Sequence, residues 1–341
     1  SLIPGVEGVN ANVAFTDNKG EIKFFAGDAN SNKQVIFHDK RISDKKIIFK
    51  AIPMQVEFYR VNDDWLFNAE KIRLTFDGAD IKGSAKLKLQ PQQYPKLDVA
   101  LQVEPVNLTS LKKVFPVKIL PKGLNKYLGQ SLESGWLKHN TIKVKSKENT
   151  AKFELKYSYS SELSDAKIKY ATSWPELSNI YGKLLLDNNS LNLKINKAYT
   201  LGQKVDFGEV IIKNFNNPVV ESHVRTKFDL AAGLGFIDKS PLKHSIGKYF
   251  SNAVLSGLAD LDVGFQLNLN KSEVDLNSLY GKVGLHEDKM TFNNYSVDLA
   301  HTNGSLQFDA KKMWGEKLTA IQNSSNLDIS LSSDANELAV N

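Results

Sequence analysis

Apolar and polar residues alternate in run after run of this sequence, and this period of two constrains the fold more than any other feature. The clearest run places apolar side chains at every second position, at Leu261, Val263, Phe265, Leu267 and Leu269. Successive side chains of a β-strand point to opposite faces, so the run predicts a strand with one apolar and one polar face. Parallel strands are usually buried on both faces, so polar alternate positions favour an antiparallel sheet.

The same period recurs along the chain, in runs at 85–89, 97–103, 153–159, 191–195, 290–292, 306–308 and 327–331. Turn-forming residues separate the runs, for example Asp187-Asn188-Asn189 and Asn303-Gly304. We therefore predict a mainly β fold. One-sided strands must bury their apolar face, either in a β-sandwich or in a curved sheet whose apolar face holds lipid chains. The residues alone favour the sandwich.

Helical spacing of apolar residues occurs in two segments only. The segment 107–133 is interrupted by prolines, and the segment 229–254 restarts at Ser240-Pro241, a pair suited to a helix N-cap and first turn. We predict a broken amphipathic helix in each segment.

Both the helical segments and one β segment are repeated. Asn107-Leu108 and Ser134-Gly135 recur 122 residues later as Asp229-Leu230 and Ser256-Gly257. The stretch 177–183 recurs 99 residues later at 276–282, and Leu186, Leu191 and Leu193 then match Leu285, Met290 and Phe292. Repeats that bury one face against a neighbour build elongated arrays rather than compact enzymes. We predict β modules at 1–106, 135–228 and 257–341, separated by helical segments at 107–134 and 229–256.

The chemistry-bearing residues give no pattern of an active site. Cysteine is absent, which excludes thiolate catalysis and disulfides. The six histidines show no metal-ligand spacing, and no nucleophile elbow, phosphate loop or dinucleotide fingerprint occurs. We therefore predict no enzyme activity, no cofactor and no metal. The net charge of +6 permits anionic partners such as lipid headgroups without requiring them.

Two further observations concern partners and context. Lysines such as Lys143, Lys145 and Lys147 alternate with other residues, which is typical of a solvated sheet face, so we predict no nucleic-acid partner. No apolar run approaches the roughly 18 residues of a membrane span. Because the chain begins with Ser in the middle of a motif, we interpret it as a piece of a longer protein.

Several short motifs resemble the YhdP branch of the AsmA-like proteins of Gram-negative bacteria. The recurring motif of that branch is matched by Trp174-Pro175, Leu177, Ile180, Gly182, the strand after Asp187, and Leu201-Gly202. The preceding family segment is similar to Ile119-Leu120-Pro121 with Leu124, followed by 132–135. The resemblance implies a repeating β-groove, an elongated, curved and twisted antiparallel sheet with an apolar interior. It also implies a periplasmic location for a parent that is anchored in the inner membrane and implicated in moving phospholipid to the outer membrane.

Under this resemblance the chain is a lipid-binding segment of a bridge between the two membranes, with phospholipid acyl chains as its ligands. The predicted groove lining consists of inward-facing strand residues, namely Phe153, Leu155, Tyr157, Leu191, Leu193, Ile195, Leu261, Val263, Phe265, Leu267, Leu269, Met290 and Phe292. Two alternatives stay open: a structural or assembly factor for the outer membrane, like the related TamB branch, and a plain β-sandwich interaction module.

Overall fold

A computed structural model describes residues 5–26, 34–38, 46–51, 54–76, 78–110, 122–147, 153–269, 273–293, 296–333 and 338–340. Within these residues the strands belong to one sheet of 24 strands. Each strand pair whose register is resolved is antiparallel, as in the pairs of β-strands 7 and 8 or 17 and 19. The prediction of a mainly β, antiparallel fold is therefore confirmed, and the described strands form one sheet rather than the two of a sandwich.

The elements, in chain order, are β1 (Gly5–Glu7), β2 (Val9–Phe15), β3 (Lys19–Ala26), β4 (Gln34–His38), β5 (Ile47–Ala51), β6 (Met54–Val61), β7 (Asp64–Phe76), β8 (Ala79–Leu89), β9 (Lys96–Val103), β10 (Val106–Asn107), α1 (Lys122–Ser131), β11 (Leu132–Ser146), β12 (Leu155–Ile168), β13 (Leu177–Asp187), β14 (Ser190–Thr200), β15 (Gln203–Val205), β16 (Phe207–Ile212), β17 (Val219–Asp229), α2 (Leu230–Asp238), two 3₁₀ helices (Pro241–His244 and Ile246–Phe250), β18 (Ala253–Ser256), β19 (Leu258–Asn268), β20 (Glu273–Phe292), β21 (Val297–Asp309), β22 (Met313–Gln322), β23 (Ser325–Ser333) and β24 (Leu338–Val340).

The chain divides into two compact units. Unit 1 comprises 1–125, 135–163 and 183–191, and unit 2 comprises 126–134, 164–182 and 192–341. In unit 1 the strands β6 to β9 pair in sequence order, and β9 then pairs with β11. In unit 2 the order is β16, β17, β19, β20, β21, β22 and β23.

Most of the fully buried core lies in unit 2. Thirteen buried residues there form one cluster, which includes Leu230 at the start of α2, Leu285 and Met290 of β20, and Leu318 of β22. Partly buried residues of α2 and the second 3₁₀ helix, Leu234 and Phe250, pack against this cluster. The helical segment therefore contributes to burying the apolar side of these strands.

Both predicted helical segments contain helix, but with different bounds. In the second segment the Asp229 carboxylate accepts a hydrogen bond from the Ala232 backbone, and Ser240 caps the next turn by accepting from Leu242. That next turn is 3₁₀ rather than α, and the chain returns to a strand at Ala253, so the predicted helix over 251–254 was wrong.

In the first segment, residues 108–110 are helical and the Asn107 amide oxygen accepts from the Thr109 backbone. The helix α1 ends at Ser131, and Leu132, predicted as helical, begins β11. The interrupted part at 111–121 lies outside the described residues.

Turn signals in the sequence were correct at 62–63 and at 188–189 and wrong at Asn303-Gly304, and Asp77 lies outside the described residues. Residues 188–189 form the turn between β13 and β14, as predicted. Asn303-Gly304 does not form a turn, because both residues lie inside β21. Gly304 has a φ of 123°, and the register of β21 against β22 shifts next to it, between Asn303 and Gln307. Asn303-Gly304 lies at a β-bulge instead. A bulge, like a hairpin turn, favours residues that can adopt a positive φ.

Strand ends also differ from the alternating runs. The strand β12 begins at Leu155, so Phe153 precedes it, and β19 ends at Asn268, so Leu269 follows it. The short run 290–292 is the end of a continuous strand that starts at Glu273. Alternation marks the side-chain pattern, and the backbone pairing extends or stops according to partners elsewhere in the chain.

The repeat at 122 residues is also a repeat of register. In unit 1, Val106 pairs with Leu137 and Val103 pairs with Asn140. In unit 2, the residues 122 positions later pair in the same way, with Phe228 opposite Ala259 and Arg225 opposite Asp262. The repeated Ser-Gly pairs match as well, since Gly135 and Gly257 have φ values of 128° and 127°.

The repeat at 99 residues diverges after its glycine. Residues 186–193 form a hairpin of β13 and β14, whereas the matching residues 285–292 lie in the single strand β20. A bulge around Glu287, which has a φ of 58°, takes the place of the turn. The same apolar spacing therefore supports two different strand arrangements.

Candidate functional site

One face of the sheet in unit 1 is apolar and crosses several strands in register. Phe58, Phe67, Leu87 and Leu97 stand opposite one another on β6, β7, β8 and β9. The rings of Phe58 and Phe67 stack with centroids 5.8 Å apart, which confirms that they share this face. We call this surface the apolar face of unit 1. Its large side chains on these strands and on β3 and β11 include Ile22, Phe24, Met54, Val56, Phe58, Trp65, Phe67, Leu87, Leu97, Val99, Leu101, Ile142 and Val144.

These large side chains are only half-buried, and each keeps part of its surface accessible. The fully buried residues on β6 to β9 are small, Ala69 at 6% and Ala79 at 8% exposure. At the margin of the face, Val13 and Phe15 of β2 are 55% and 74% exposed. An apolar sheet face of this extent that is not fully buried indicates a binding surface.

The opposite face of the same strands is polar. Asn68, Lys86, Asp98 and Lys145 stand opposite one another on β7, β8, β9 and β11. The Lys145 ammonium lies 2.8 Å from the Asp98 carboxylate, with both side chains about half exposed. Exposed pairs of this kind contribute little stability, so the polar face is a solvated surface.

The apolar face of unit 2 is covered by aromatic side chains of its own unit. Val263 and Phe265 of β19 stand opposite Val224 and Ser222 of β17. The Trp174 ring stacks on Phe265 with centroids 6.4 Å apart and an interplanar angle of 10°. Two more rings complete the cluster. Tyr170 contacts Phe265 at a centroid distance of 6.3 Å, and Phe236 of α2 contacts Trp174 at 6.0 Å.

A tyrosine on α1 forms a hydrogen bond to the aromatic cluster that covers Phe265. The Tyr127 hydroxyl donates to the Tyr170 carbonyl oxygen at 3.1 Å. Burial raises the pKa of Tyr127 to about 12, and burial also raises the pKa of Tyr170. Both phenols therefore stay protonated at neutral pH, and the cover carries no charge.

A buried polar network sits at the edge of the apolar face in unit 1. Asn140 is 3% exposed, and its amide nitrogen lies 3.0–3.2 Å from the carbonyl oxygens of Leu137, Val103 and Glu104. Its amide oxygen accepts from the hydroxyls of Tyr159 and Ser161 at 2.7 and 2.9 Å. Burial raises the pKa of Tyr159 to about 12.

Titratable groups outside these faces pair with one another on the surface. His286 lies 2.7 Å from Asp260, and His301 lies 2.6 Å from Glu287, all on exposed strand positions. Within the described residues, no group of three or more His, Asp or Glu side chains is placed to hold a metal ion. These pairs are cross-strand contacts of a polar sheet face.

The family of the chain follows from a comparison of its sequence with known protein families. The family described as YhdP protein matches residues 1–341. The chain belongs to the YhdP family. This is a family of transport proteins and not of enzymes. Neither the curated proteins nor the solved structures include a match.

No helix in the described part of this YhdP-family chain has both the length and the apolar character needed to cross a membrane. Of the helices α1 and α2, the longer is α1, which spans ten residues. The resemblance to the YhdP branch that the sequence motifs indicated is thus confirmed over the whole chain.

The lining residues predicted from the YhdP resemblance fall into three groups by exposure. The buried group is Ile195, Leu267, Leu269, Met290 and Phe292. The partly accessible group is Tyr157, Leu191, Leu193, Leu261, Val263 and Phe265. Phe153 and Leu155 are 44% and 38% exposed. Leu261, Val263, Phe265 and Leu267 share one face of β19, whereas Met290 and Phe292 belong to the core cluster of unit 2.

The apolar face of unit 1 was missed as a site by sequence reasoning, although its signal was available. The runs 85–89 and 97–103 show the same alternation as the predicted lining. Nothing in a single run distinguishes a face covered by its own chain from one left half-exposed, because both need the same alternate apolar residues.

Proposed function

We propose that this chain is a lipid-binding segment of a periplasmic bridge that moves phospholipid between the inner and outer membranes. The observation that supports it best is the apolar face of unit 1, where in-register rows of half-buried apolar side chains cross β6 to β9 and β11. Membership of a transport family agrees with such a surface. The thirteen residues predicted as lining stay a proposal, and we add the side chains of the apolar face of unit 1 to it.

The mechanism is passive. Each acyl CH₂ removed from water contributes about 0.8 kcal/mol, so a chain of ordinary length is held strongly in an apolar surface. A lining of similar side chains along neighbouring strands makes successive positions similar in energy, so a lipid slides along the face more readily than it leaves. Such transport needs no acid, base, nucleophile, metal or cofactor.

The wider context of the proposal comes from the family resemblance. The parent protein is anchored in the inner membrane, and this segment lies in the periplasm, where it meets phospholipid acyl chains. Lys and Arg exceed Asp and Glu, 44 to 38, which suits contact with phosphate-bearing headgroups at the margins of the apolar face.

The two units contribute differently under this proposal. Unit 1 offers accessible apolar side chains, whereas Trp174, Tyr170 and Phe236 occupy the space over Phe265 in unit 2. Acyl chains therefore bind first along unit 1.

A pair of neighbouring substitutions tests the proposal. Leu87→Asp places a charge on the apolar face, and Lys86→Asp places the same charge one residue away on the polar face. A buried carboxylate against an acyl chain is costly, so we expect Leu87→Asp to lower phospholipid binding about tenfold, or ~1.4 kcal/mol. We expect Lys86→Asp to bind as the unchanged chain does. Native mass spectrometry after incubation with detergent micelles that contain phosphatidylethanolamine measures the bound fraction.

Circular dichroism shows whether each variant keeps its β content, and Leu97→Asp provides a second site on the same face. The proposal fails if the unchanged chain binds no phospholipid. It also fails if folded Leu87→Asp and Leu97→Asp bind as well as Lys86→Asp.

A further inference from the structure

One charged residue interrupts the apolar face of unit 1. Among the described residues of β2, β3, β6 to β9 and β11 that share this face, Arg60 is the single charged side chain. Arg60 follows Phe58 by two residues on β6 and stands opposite Trp65 of β7. Charged residues otherwise occupy the opposite face, so the position of Arg60 calls for a functional explanation.

The guanidinium of Arg60 is positioned at the end of the strand by contacts that use only some of its N–H donors. It lies 6.0 Å from the centre of the Trp65 ring. Its Nε donates to the Asn62 carbonyl oxygen and its Nη2 donates to the Asp63 carboxylate, both at 3.0 Å. The guanidinium fork has more N–H donors than these two bonds use. The side chain is 42% exposed, so the remaining donors are open to a ligand.

The bond to Asp63 does not account for Arg60 as a stabilising residue. Asp63 is 79% exposed, and the two residues are three positions apart in a hairpin turn. An exposed pair of this kind contributes little, about 0–1 kcal/mol. The carboxylate takes up the Nη2 donor alone, so this bond leaves the rest of the guanidinium fork for a ligand.

Arg60 lies where hairpin turns of unit 1 adjoin one another. Its backbone N–H donates to the Asn18 carbonyl oxygen in the β2–β3 turn at 2.7 Å. Beside it, Gln90 after β8 donates to Asp64 at the start of β7. We call this end of the strands the turn margin of unit 1. The margin also carries exposed aromatic residues, Phe15 at 74% and Tyr94 at 51%.

We propose that Arg60 binds the phosphate of a glycerophospholipid whose acyl chains lie on the apolar face of unit 1. Arginine matches phosphate with two parallel N–H donors. Aromatic side chains beside it suit the boundary between acyl chain and headgroup, where an apolar ring meets water. The turn margin thus orients the lipid, with its headgroup at the strand ends and its chains along Phe58, Phe67 and Leu87. This inference rests on the proposed function, since it needs acyl chains on that face.

Ligands with and without phosphate separate this role from general lipid binding. The chain is titrated with dioleoyl phosphatidylglycerol and with dioleoylglycerol, which has the same chains and no phosphate, in detergent micelles. We expect Arg60→Gln to weaken phosphatidylglycerol binding about tenfold, the loss of a charge-assisted pair, and to leave dioleoylglycerol binding unchanged. Arg60→Lys keeps the positive charge but lacks the two parallel N–H donors, so we expect its affinity for phosphatidylglycerol to lie between those of the unchanged chain and Arg60→Gln. Arg73→Gln, an arginine on the opposite face, is the matched control and changes neither.

Each outcome decides one question. Equal loss of both ligands in Arg60→Gln, or unchanged phosphatidylglycerol binding, overturns the role of Arg60 while the proposed function stands. Binding of neither ligand by the unchanged chain overturns the proposed function itself. Glycerol 3-phosphate, the headgroup phosphate without chains, is titrated in parallel. Binding of this soluble phosphate as strong as that of phosphatidylglycerol would make Arg60 a free-phosphate site and would also overturn the inference.

Discussion

At the scale of single residues, Asn140 shows how one buried amide holds several strands. It joins the β9–β11 pair to hydroxyls of β12 through five contacts. Asn140→Ala removes all five contacts at a buried position, so we expect the free energy of unfolding to fall by about 2–4 kcal/mol. Urea denaturation followed by circular dichroism measures it. Asn12→Ala, at an exposed position on β2, is the control and stays within about 0.5 kcal/mol.

Two glycines with positive φ separate backbone strain from lack of space. Gly257 has a φ of 127°, and an added Cβ would overlap the Asp288 carboxylate. Gly202 has a φ of 81°, with no atom within 4 Å of the added Cβ. We expect Gly202→Ala to cost about 1 kcal/mol from strain alone. We expect Gly257→Ala to cost at least twice as much in the same thermal denaturation series. Equal costs would show that Asp288 moves aside without penalty.

At the scale of elements, two partly buried tyrosines make the docking of α1 and the Asn140 network sensitive to alkali. Burial raises the pKa of Tyr127 and of Tyr159 to about 12, above the roughly 10 of an unfolded tyrosine. Their contribution is therefore complete below about pH 10 and is lost as pH rises through about 12. We expect the urea midpoint to fall between pH 9.5 and 11.5. The double variant Tyr127→Phe, Tyr159→Phe, which has no phenol to ionise at either site, should fall less, and an equal fall would contradict this account.

The elements also show how far sequence reasoning reaches. Period-two alternation predicted the strands and their antiparallel order, and the caps at Asp229 and Ser240 were visible because capping is local chemistry. The prediction of a turn at Asn303-Gly304 was wrong, because a β-bulge favours the same positive-φ conformations as a turn. The exposure of Phe58 or Leu87 was not predictable, because what covers a sheet face depends on residues distant in the chain, as Trp174 and Phe236 do for Phe265.

At the scale of the whole molecule, the two units share one strand pattern but differ in how far their apolar side chains are buried. Thirteen buried apolar residues of unit 2 form one core cluster, whereas the large side chains of the apolar face of unit 1 are half-buried. The 122-residue repeat therefore has the same strand register in both units but not the same burial of apolar side chains. The difference lies in the residues that cover each face. Under the proposed function, lipid contacts the more accessible face of unit 1.

This division predicts a hydrogen-exchange pattern. Without lipid, we expect amides of β20 to β22 to exchange more slowly than those of β6 to β8, because local opening is easier where fewer apolar contacts are buried. Adding phosphatidylglycerol should slow exchange in β6 to β9 and leave β20 to β22 unchanged, since a ligand stabilises only the part of the fold that it binds. Peptide-level mass spectrometry measures both effects. Leu87→Asp serves as the control, and its weaker binding should reduce the lipid-dependent slowing at the same lipid concentration. Equal slowing in both units would show that lipid also enters the covered face of unit 2, and Trp174 would then have to move off Phe265.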